Sequence, residues 1–518
     1  MDIQSILVAL MFASLLALLM SGFPVAFVLA GTGLLFGSIG LAFGAIDIRL
    51  MNLLPIRVYD NIIQNELLFA IPLFVAMGVI LEKSGIAEDL LGSMSTLMRR
   101  VRGGLALSVT LVGALLAAST GIVGATVVTM GLLSLPSMMR EGYNPAFATG
   151  SIAAAGTLGQ IIPPSIVLIL LTDVMSNSWS LAQQDMGIFS PTPITTGQLF
   201  AAALVPGLLL VLLYLAYQLG TALLKPASCP EANTTPIQAG ELADVLKALL
   251  PPLLLILAVL GSILGGIATP TKAAAVGAIG AMVLAGFKKV EGTGWPILLF
   301  LAALADLFLL SLFVDLRSGS DTTWMIIAYI SAAIGFGALL ILIFRLWRSG
   351  ILRPALDETV RVSTMIYTIL IGAALFSLVF RGLGGDDAVR HLLESLGGGF
   401  WGALIAVMIL MFILGFFLDF IEITFVVVPV VAPILLAMDG SLGPLWLGIM
   451  IAMNLQTSFL TPPFGFALFY LRGVMPKEIP TGALYRGAIP FVIIQLLALL
   501  LLTAFPGLVI WLPTVLGS

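Results

Sequence analysis

Apolar residues run along this chain in blocks of about 20, the length of helix that spans a bilayer, separated by short polar or Gly/Pro-rich joints. Such blocks fall near 4–21, 24–43, 65–81, 197–222, 247–264, 271–287, 296–314, 324–346, 361–380 and 484–506. Two further stretches, 103–175 and 399–475, stay apolar for longer but carry Gly, Pro and small polar residues in their middles. The first set predicts plain spanning helices. Each long stretch predicts a helical hairpin that re-emerges on its side of entry (103–138 and 399–436), then a crossing helix broken near its middle (145–175 and 444–471). Residues 4–21 lack a basic leader and a small-residue cleavage site, so they read as a retained helix.

The two long stretches share one punctuation. The first runs FVAMGVILEKSGIAEDLL, Gly103-Gly104, an apolar run with Pro136, EGYNP at 141–145 and QIIPPS at 160–165. The second runs AALFSLVFRGLGGDDAVRHLL, Gly397 to Gly399, an apolar run with Pro433, DGSLGP at 439–444 and FLTPPFG at 459–465. Gly85 pairs with Gly385, Pro136 with Pro433 and Pro163 with Pro462, an offset near 300. Arg99, Arg100 and Arg102 precede the first hairpin, whereas Asp386, Asp387 and Glu394 precede the second, so the copies enter from opposite faces. Proline and glycine runs can simply kink packed helices, but paired copies in opposite orientation are the mark of a secondary transporter with sites where broken helices meet. The predicted organisation is scaffold helices (1–60), a first repeat (61–175), an outer loop and scaffold helices (176–294), two added helices (295–350), a second repeat (351–475) and a C-terminal helix (476–518).

Composition sharpens this. Of 518 residues 60% are hydrophobic and 9% charged, with a net charge of -4, against about 25% charged in a soluble domain. A water-soluble globule and a nucleic-acid surface are both excluded. One Cys (Cys229) and one His (His391) exclude a disulfide framework and Cys/His metal or nucleophile chemistry. His391 reads as a solvated face residue. With the hairpins re-entrant, sixteen Lys and Arg fall on one side of the membrane and five (Arg49, Arg57, Arg317, Arg381, Arg390) on the other. Positive loops face the cytoplasm, so both termini and the 176–196 loop are expected outside.

The breaks carry the chemistry. Adjacent prolines remove N–H donors and strip helical partners from carbonyls upstream. A cation can satisfy such carbonyls, so GQIIPPS at 159–165 and TPPFG at 461–465 are candidate Na⁺ sites. The first hairpin tip offers Ser119, Thr120, Gly121 and Gly124; the second offers Asp419 and Glu422, carboxylates within the membrane. Either carboxylate could instead sit solvated at a mouth or cap a helix.

These motifs resemble a known family, the large membrane subunit of tripartite ATP-independent periplasmic (TRAP) transporters, DctM-like. The resemblance rests on SGFPVAF at 21–27, IPLFVAMG at 71–78, KSGIAEDLL at 83–91, EGYNPAFA at 141–148, GTLGQIIPPS at 156–165, GGIATPTKAAAVGA at 265–278, FLDFIEI at 417–423 and LTPPFGFALF at 460–469, and covers nearly the whole chain. It implies an all-α polytopic, elevator-type importer in the bacterial inner membrane. The implied cargo is a small carboxylate driven by Na⁺, and the implied partners are a soluble periplasmic binding protein and a small membrane (Q) subunit. Carried over residue by residue, Ser119, Thr120, Gly121, Gly159, Ile162 and Pro164 would hold one Na⁺. Asp419 and Thr461 would hold another, and Ser119, Thr120, Ser165 and Asp419 would face the substrate.

Three departures stand out: Lys272 where the family has an acidic residue in TPTEAAA, no arginine between Ser165 and Leu171, and the two added helices of 295–350. The chain has no G-x-x-x-x-G-K-[ST] loop for ATP, nor the Ser/His, paired-Asp or Asp-rich arrangements of membrane enzymes. A channel, which needs no opposed hairpins, is the less favoured reading. The nearer alternative is a stand-alone Na⁺/dicarboxylate carrier of related inverted-repeat fold, which would need no binding protein.

Overall fold

The computed structural model describes residues 3–120, 123–233, 235, 239–290, 292–313 and 322–517, and every regular element among them is a helix. Helices α1 (Ile3–Met20) and α2 (Val25–Ala42) are followed by the short α3 (Ile48–Met51) and α4 (Leu54–Val58) and a π-helical turn, Tyr59–Ile63. The first repeat then comprises α5 (Ala70–Lys83), α6 (Ile86–Met98), the hairpin legs α7 (Gly104–Thr120) and α8 (Val123–Arg140), and α9 (Pro145–Thr157) and α10 (Ile166–Asp185) on either side of a break. Next come α11 (Thr196–Leu224), α12 (Ala239–Leu264), α13 (Pro270–Lys289), α14 (Gly294–Phe313) and α15 (Thr322–Arg348).

The second repeat follows the first in order. It holds α16 (Leu352–Gly382), α17 (Gly385–Ser395), the hairpin legs α18 (Gly399–Leu414) and α19 (Phe420–Val426) with α20 (Val428–Met438), then α21 (Gly443–Leu460) and α22 (Phe466–Val474) around the second break. Helices α23 (Thr481–Ala504) and α24 (Gly507–Leu516) close the chain. The glycine landmark needs a correction of one residue. Gly85 (φ +72°) and Gly384 (φ +78°) are the left-handed residues that turn the chain into α6 and α17, while Gly385 is already helical. Only glycine enters that conformation without steric cost, so Gly384 is the true counterpart. The second hairpin's return leg also bends by 57° between α19 and α20, because Pro429, the second residue of α20, lacks an N–H for the preceding turn. Helix α10 continues to Asp185, past the apolar stretch that ends near 175.

Two hydrogen bonds locate the axis of the repeat. Gln456 Nε2 donates to Thr157 Oγ1 at 3.3 Å, and Tyr367 OH to the Leu68 carbonyl at 3.1 Å, each across 299 residues. That separation is the offset between Pro163 and Pro462, so each bond joins a residue to its own equivalent. In a two-fold arrangement such self-contacts lie at the axis. The repeats are also interlocked: α2 packs along α16, and α13 along α5. At each membrane face an amphipathic helix is tied down by charge. Arg99 pairs with Glu241 at 2.7 Å and Lys288 with Asp89 at 2.6 Å, fastening α6; Arg390 pairs with Asp185 at 2.5 Å, fastening α17. Helices α14 and α15 pack mainly on each other at the periphery, joined by Ser331 Oγ donating to Asp306 Oδ2 at 2.5 Å.

Candidate functional site

The first break replaces one turn of helix with Leu158–Gln160 in 3-10 form and five residues, Ile161 to Ser165, outside any helix. The Ile161 and Ile162 N–H groups both turn back to the Leu158 carbonyl, at 3.2 and 3.0 Å. With Pro163 and Pro164 unable to donate, the carbonyls of Gly159, Ile161 and Ile162 accept no hydrogen bond among the described residues. Ser165 is buried; its hydroxyl donates to the Gln160 carbonyl at 3.2 Å and so bridges the break. Gln160, fully buried, leaves both Oε1 and Nε2 without a partner among the described residues. A buried amide with no partner costs about 1–3 kcal/mol, which singles out a residue that the sequence reading passed over for its proline neighbours.

The second break is better satisfied. Thr461 ends α21 with its hydroxyl donating to the Thr457 carbonyl at 2.8 Å, its own carbonyl accepts from Gly465 N–H at 3.0 Å, and the Pro463 carbonyl accepts from Tyr485 OH at 3.2 Å. Both breaks hold a cis Pro-Pro peptide.

At the second tip, Asp419 and Glu422 form a reciprocal capping box. Asp419 Oδ1 accepts from Phe420 N–H at 2.7 Å, and Glu422 Oε2 from Asp419 N–H at 3.0 Å. The helix start is thus bound to two carboxylates, which its N-terminal dipole favours. At the first tip, Ser119 and Thr120 close α7, but their side chains and Gly121 lie outside the described residues. Gly124 is described, and its lack of a side chain matters: a Cβ there would meet the Tyr470 ring at 2.9 Å.

A cavity of about 460 Å³ brings these parts together. Gly124 from the first tip, Asp419 from the second, Ile166 beyond the first break and Phe459 and Phe466 around the second all line it. Its mouth carries Glu82 and Lys83 of α5 and Glu358 and Arg361 of α16. Gly159, Ile162, Pro164, Ser165 and Thr461 do not line it; they stand behind it in the breaks. A second cavity, about 440 Å³, opens toward the other ends of α10 and α16, between Asp173 to Gln184 and Leu370 to Arg381. One turn of α16 (367–369) and one of α19 (422–424) separate the two, the turn of α16 being the one that holds Tyr367 on its axial hydrogen bond. His391 and Lys272 are exposed and line neither cavity.

Comparison with known proteins follows the same outline. The profile of the family described as "Tripartite ATP-independent periplasmic transporter, DctM component" matches residues 12–311 and 300–508. The chain is 28% identical over 487 residues to the C4-dicarboxylate TRAP transporter large permease protein DctM of Pseudomonas aeruginosa, covering 93% of this chain and 94% of that one. It is 27% identical over 443 residues to the isethionate TRAP transporter permease protein DctMQ of Oleidesulfovibrio alaskensis, covering 85% of this chain and 57% of that one. Its fold is similar to the YdaH transporter of Alcanivorax borkumensis, with a TM-score of 0.54 at 17% identity over 89% of this chain and 90% of that one.

Proposed function

This chain belongs to the DctM component family of tripartite ATP-independent periplasmic transporters, a multi-pass membrane permease, and from that premise we propose that it imports a small organic anion coupled to Na⁺. The observation that carries the ion coupling is the first break: three carbonyls and a buried glutamine amide without partners among the described residues, at the midpoint of a crossing helix. Oxygen ligands of this kind suit a small hard cation, and the C-terminal dipole of α9 adds to the attraction. Gly159, Ile162 and Gln160 would bind one Na⁺ with the first tip (Ser119, Thr120, Gly121), while Pro164 fixes the break. A second ion would sit between Asp419 and Thr461. The substrate would lie in the cavity between the tips, against Asp419 and within reach of Ser165 and the first tip. Relatives named for C4-dicarboxylates and isethionate support an anionic cargo.

Two cavities at opposite ends of α10 and α16, divided by one turn at the repeat axis, support alternating access. In the proposed movement the hairpins and broken helices shift as a unit, elevator fashion, against α2, α11, α13 and α23. We place the chain in the inner membrane with both termini outside, so that the cavity lined by Glu82 and Arg361 faces the cytoplasm. A small membrane subunit and a periplasmic binding protein complete the system, in keeping with the fused DctMQ relative.

The test is reconstitution. Proteoliposomes holding the permease and its membrane subunit should take up substrate only with an inward Na⁺ gradient and the loaded binding protein. Uptake without the binding protein would identify the stand-alone carrier instead, and uptake indifferent to Na⁺ would reject the coupling.

A further inference from the structure

The second cavity has chemistry of its own. Arg57 of α4 and Arg381 of α16 both line it, with Asn61, Asn177 and Ser377 beside them, and Asp173 is the one carboxylate in its wall among the described residues. Asp173 is engaged, accepting from Asn65 Nδ2 at 2.8 Å. Arg381 is held in place, Nη2 donating to the Pro429 carbonyl at 3.2 Å and Nε lying 3.4 Å from Asp386 Oδ2. Arg57 is half-buried, and its side chain makes no hydrogen bond or ion pair among the described residues. Burial, and then the charge of Arg381, pull its guanidinium below its ordinary value. A partly buried cation without a counter-ion is costly, and a second cation nearby adds repulsion. An anion seated between the two would remove both penalties, and planar guanidinium forks match the paired oxygens of a carboxylate or sulfonate. The volume, about 440 Å³, is that of a small-ligand pocket.

The repeat sharpens the contrast. The offset of 299 residues places Glu82 at the position equivalent to Arg381. Glu82 lines the cavity between the tips, whose wall also includes Glu358 and Asp419 against Lys83 and Arg361, three carboxylates to two cations. Equivalent positions at the two ends therefore carry opposite charge, cationic where Arg57 stands and more acidic where the tips meet.

We propose that the cavity between Arg57 and Arg381 is a binding site for a small organic oxyanion, at which the anion docks before it reaches the hairpin tips. Its place in that order of events rests on the import reading above; the binding itself does not.

The experiment uses the full-length chain in detergent, in Na⁺-free buffer of fixed ionic strength, with succinate, isethionate and the uncharged succinamide as probes. Either anion should slow phenylglyoxal modification of Arg57 several-fold, read by mass spectrometry, and raise the unfolding temperature; succinamide should do neither. Arg57→Gln should lose the thermal shift. Without anion it should be at least as stable as the parent, because it relieves repulsion with Arg381. Arg57→Lys keeps the charge without the fork and should bind at least about tenfold more weakly, a loss of one decade in affinity. Destabilisation of anion-free Arg57→Gln, a full thermal shift in that variant, or silence from both anions in the parent would overturn the site. If that full thermal shift came with lost docking of the binding protein, Arg57 would instead serve an acidic group of that protein. No flux is needed, so uptake can fail while the anion still protects Arg57, which would remove the import reading and leave this site standing.

Discussion

Two expectations of opposite sign attach to Gln160. The perturbation is Gln160→Met, which keeps length and volume but removes the amide. Gln160 is fully buried and neither of its side-chain polar atoms has a partner among the described residues. Removing an unsatisfied buried amide should recover about 1–3 kcal/mol in the Na⁺-free protein, and a volume-conserving change adds little strain. If Oε1 helps to bind Na⁺, the same substitution should weaken the ion. At 100 times its dissociation constant a ligand stabilises by about 2.7 kcal/mol, and a tenfold loss of affinity removes about 1.4 kcal/mol of that. The assay is thermal unfolding of the purified chain, with Na⁺ replaced by choline in the reference. Gln160→Met should unfold at a higher temperature than the parent in choline and should gain less from Na⁺. A variant that is less stable in choline, or that keeps the whole Na⁺ increment, would refute the reasoning.

Other substitutions separate structure from function at the remaining candidate positions. Asp419→Asn retains a good helix cap whereas Asp419→Ala loses one, about 0.5–2 kcal/mol; on the proposed reading Na⁺-driven uptake falls in both, and normal uptake by Asp419→Asn would reduce Asp419 to a cap. Thr461→Val removes a hydroxyl that donates only to its own helix, so a lowered apparent Na⁺ affinity in uptake would assign it to the ion, and an unchanged Na⁺ dependence would confine it to the helix end. Gly487→Ala would push a methyl against the Ala146 carbonyl where α23 crosses α9; overpacking of this kind costs about 1–3 kcal/mol, seen as a lower unfolding temperature. An unchanged unfolding temperature would show that the two helices can part freely.

The helical membrane fold and its inverted repeat were legible because lipid imposes a simple grammar. About 20 apolar residues make a span, and Pro-Pro with flanking Gly interrupts one. What escaped is what lipid does not dictate. Ser176 to Gln184 look like a polar loop, yet α10 continues through them because that face lines a cavity. Arg57 and Arg381 entered the sequence reading only as markers of topology, since their convergence depends on the path of α3 and α4 between the spans. Gln160 gave a signal that could have been read: an amide beside Pro-Pro in an apolar run needs partners, and the prolines cannot supply them. The same proline rule, applied to Pro429, would have foreseen the bend between α19 and α20.

The repeat is most informative where its copies disagree. Both breaks are built on Pro-Pro, yet the second carries its own internal bonds through Thr461, Gly465 and Tyr485, while the first leaves carbonyls and Gln160 open. Glu82 and Arg381 occupy equivalent places with opposite charge. A strictly symmetric protein with two such cavities would present one field to both faces and bind its cargo equally from either side. Divergence at a handful of equivalent positions leaves the helices and their axis intact, since Thr157 still meets Gln456 and Leu68 still meets Tyr367. On the proposed reading, symmetry supplies two interchangeable conformations of similar energy, and the substituted positions determine which end attracts the anion. Net direction would still follow the Na⁺ gradient, but anion affinity at each end would be set by side chains at the two mouths rather than by the fold, and exchanging charge at Glu82 and Arg381 should alter that affinity without disturbing the spans.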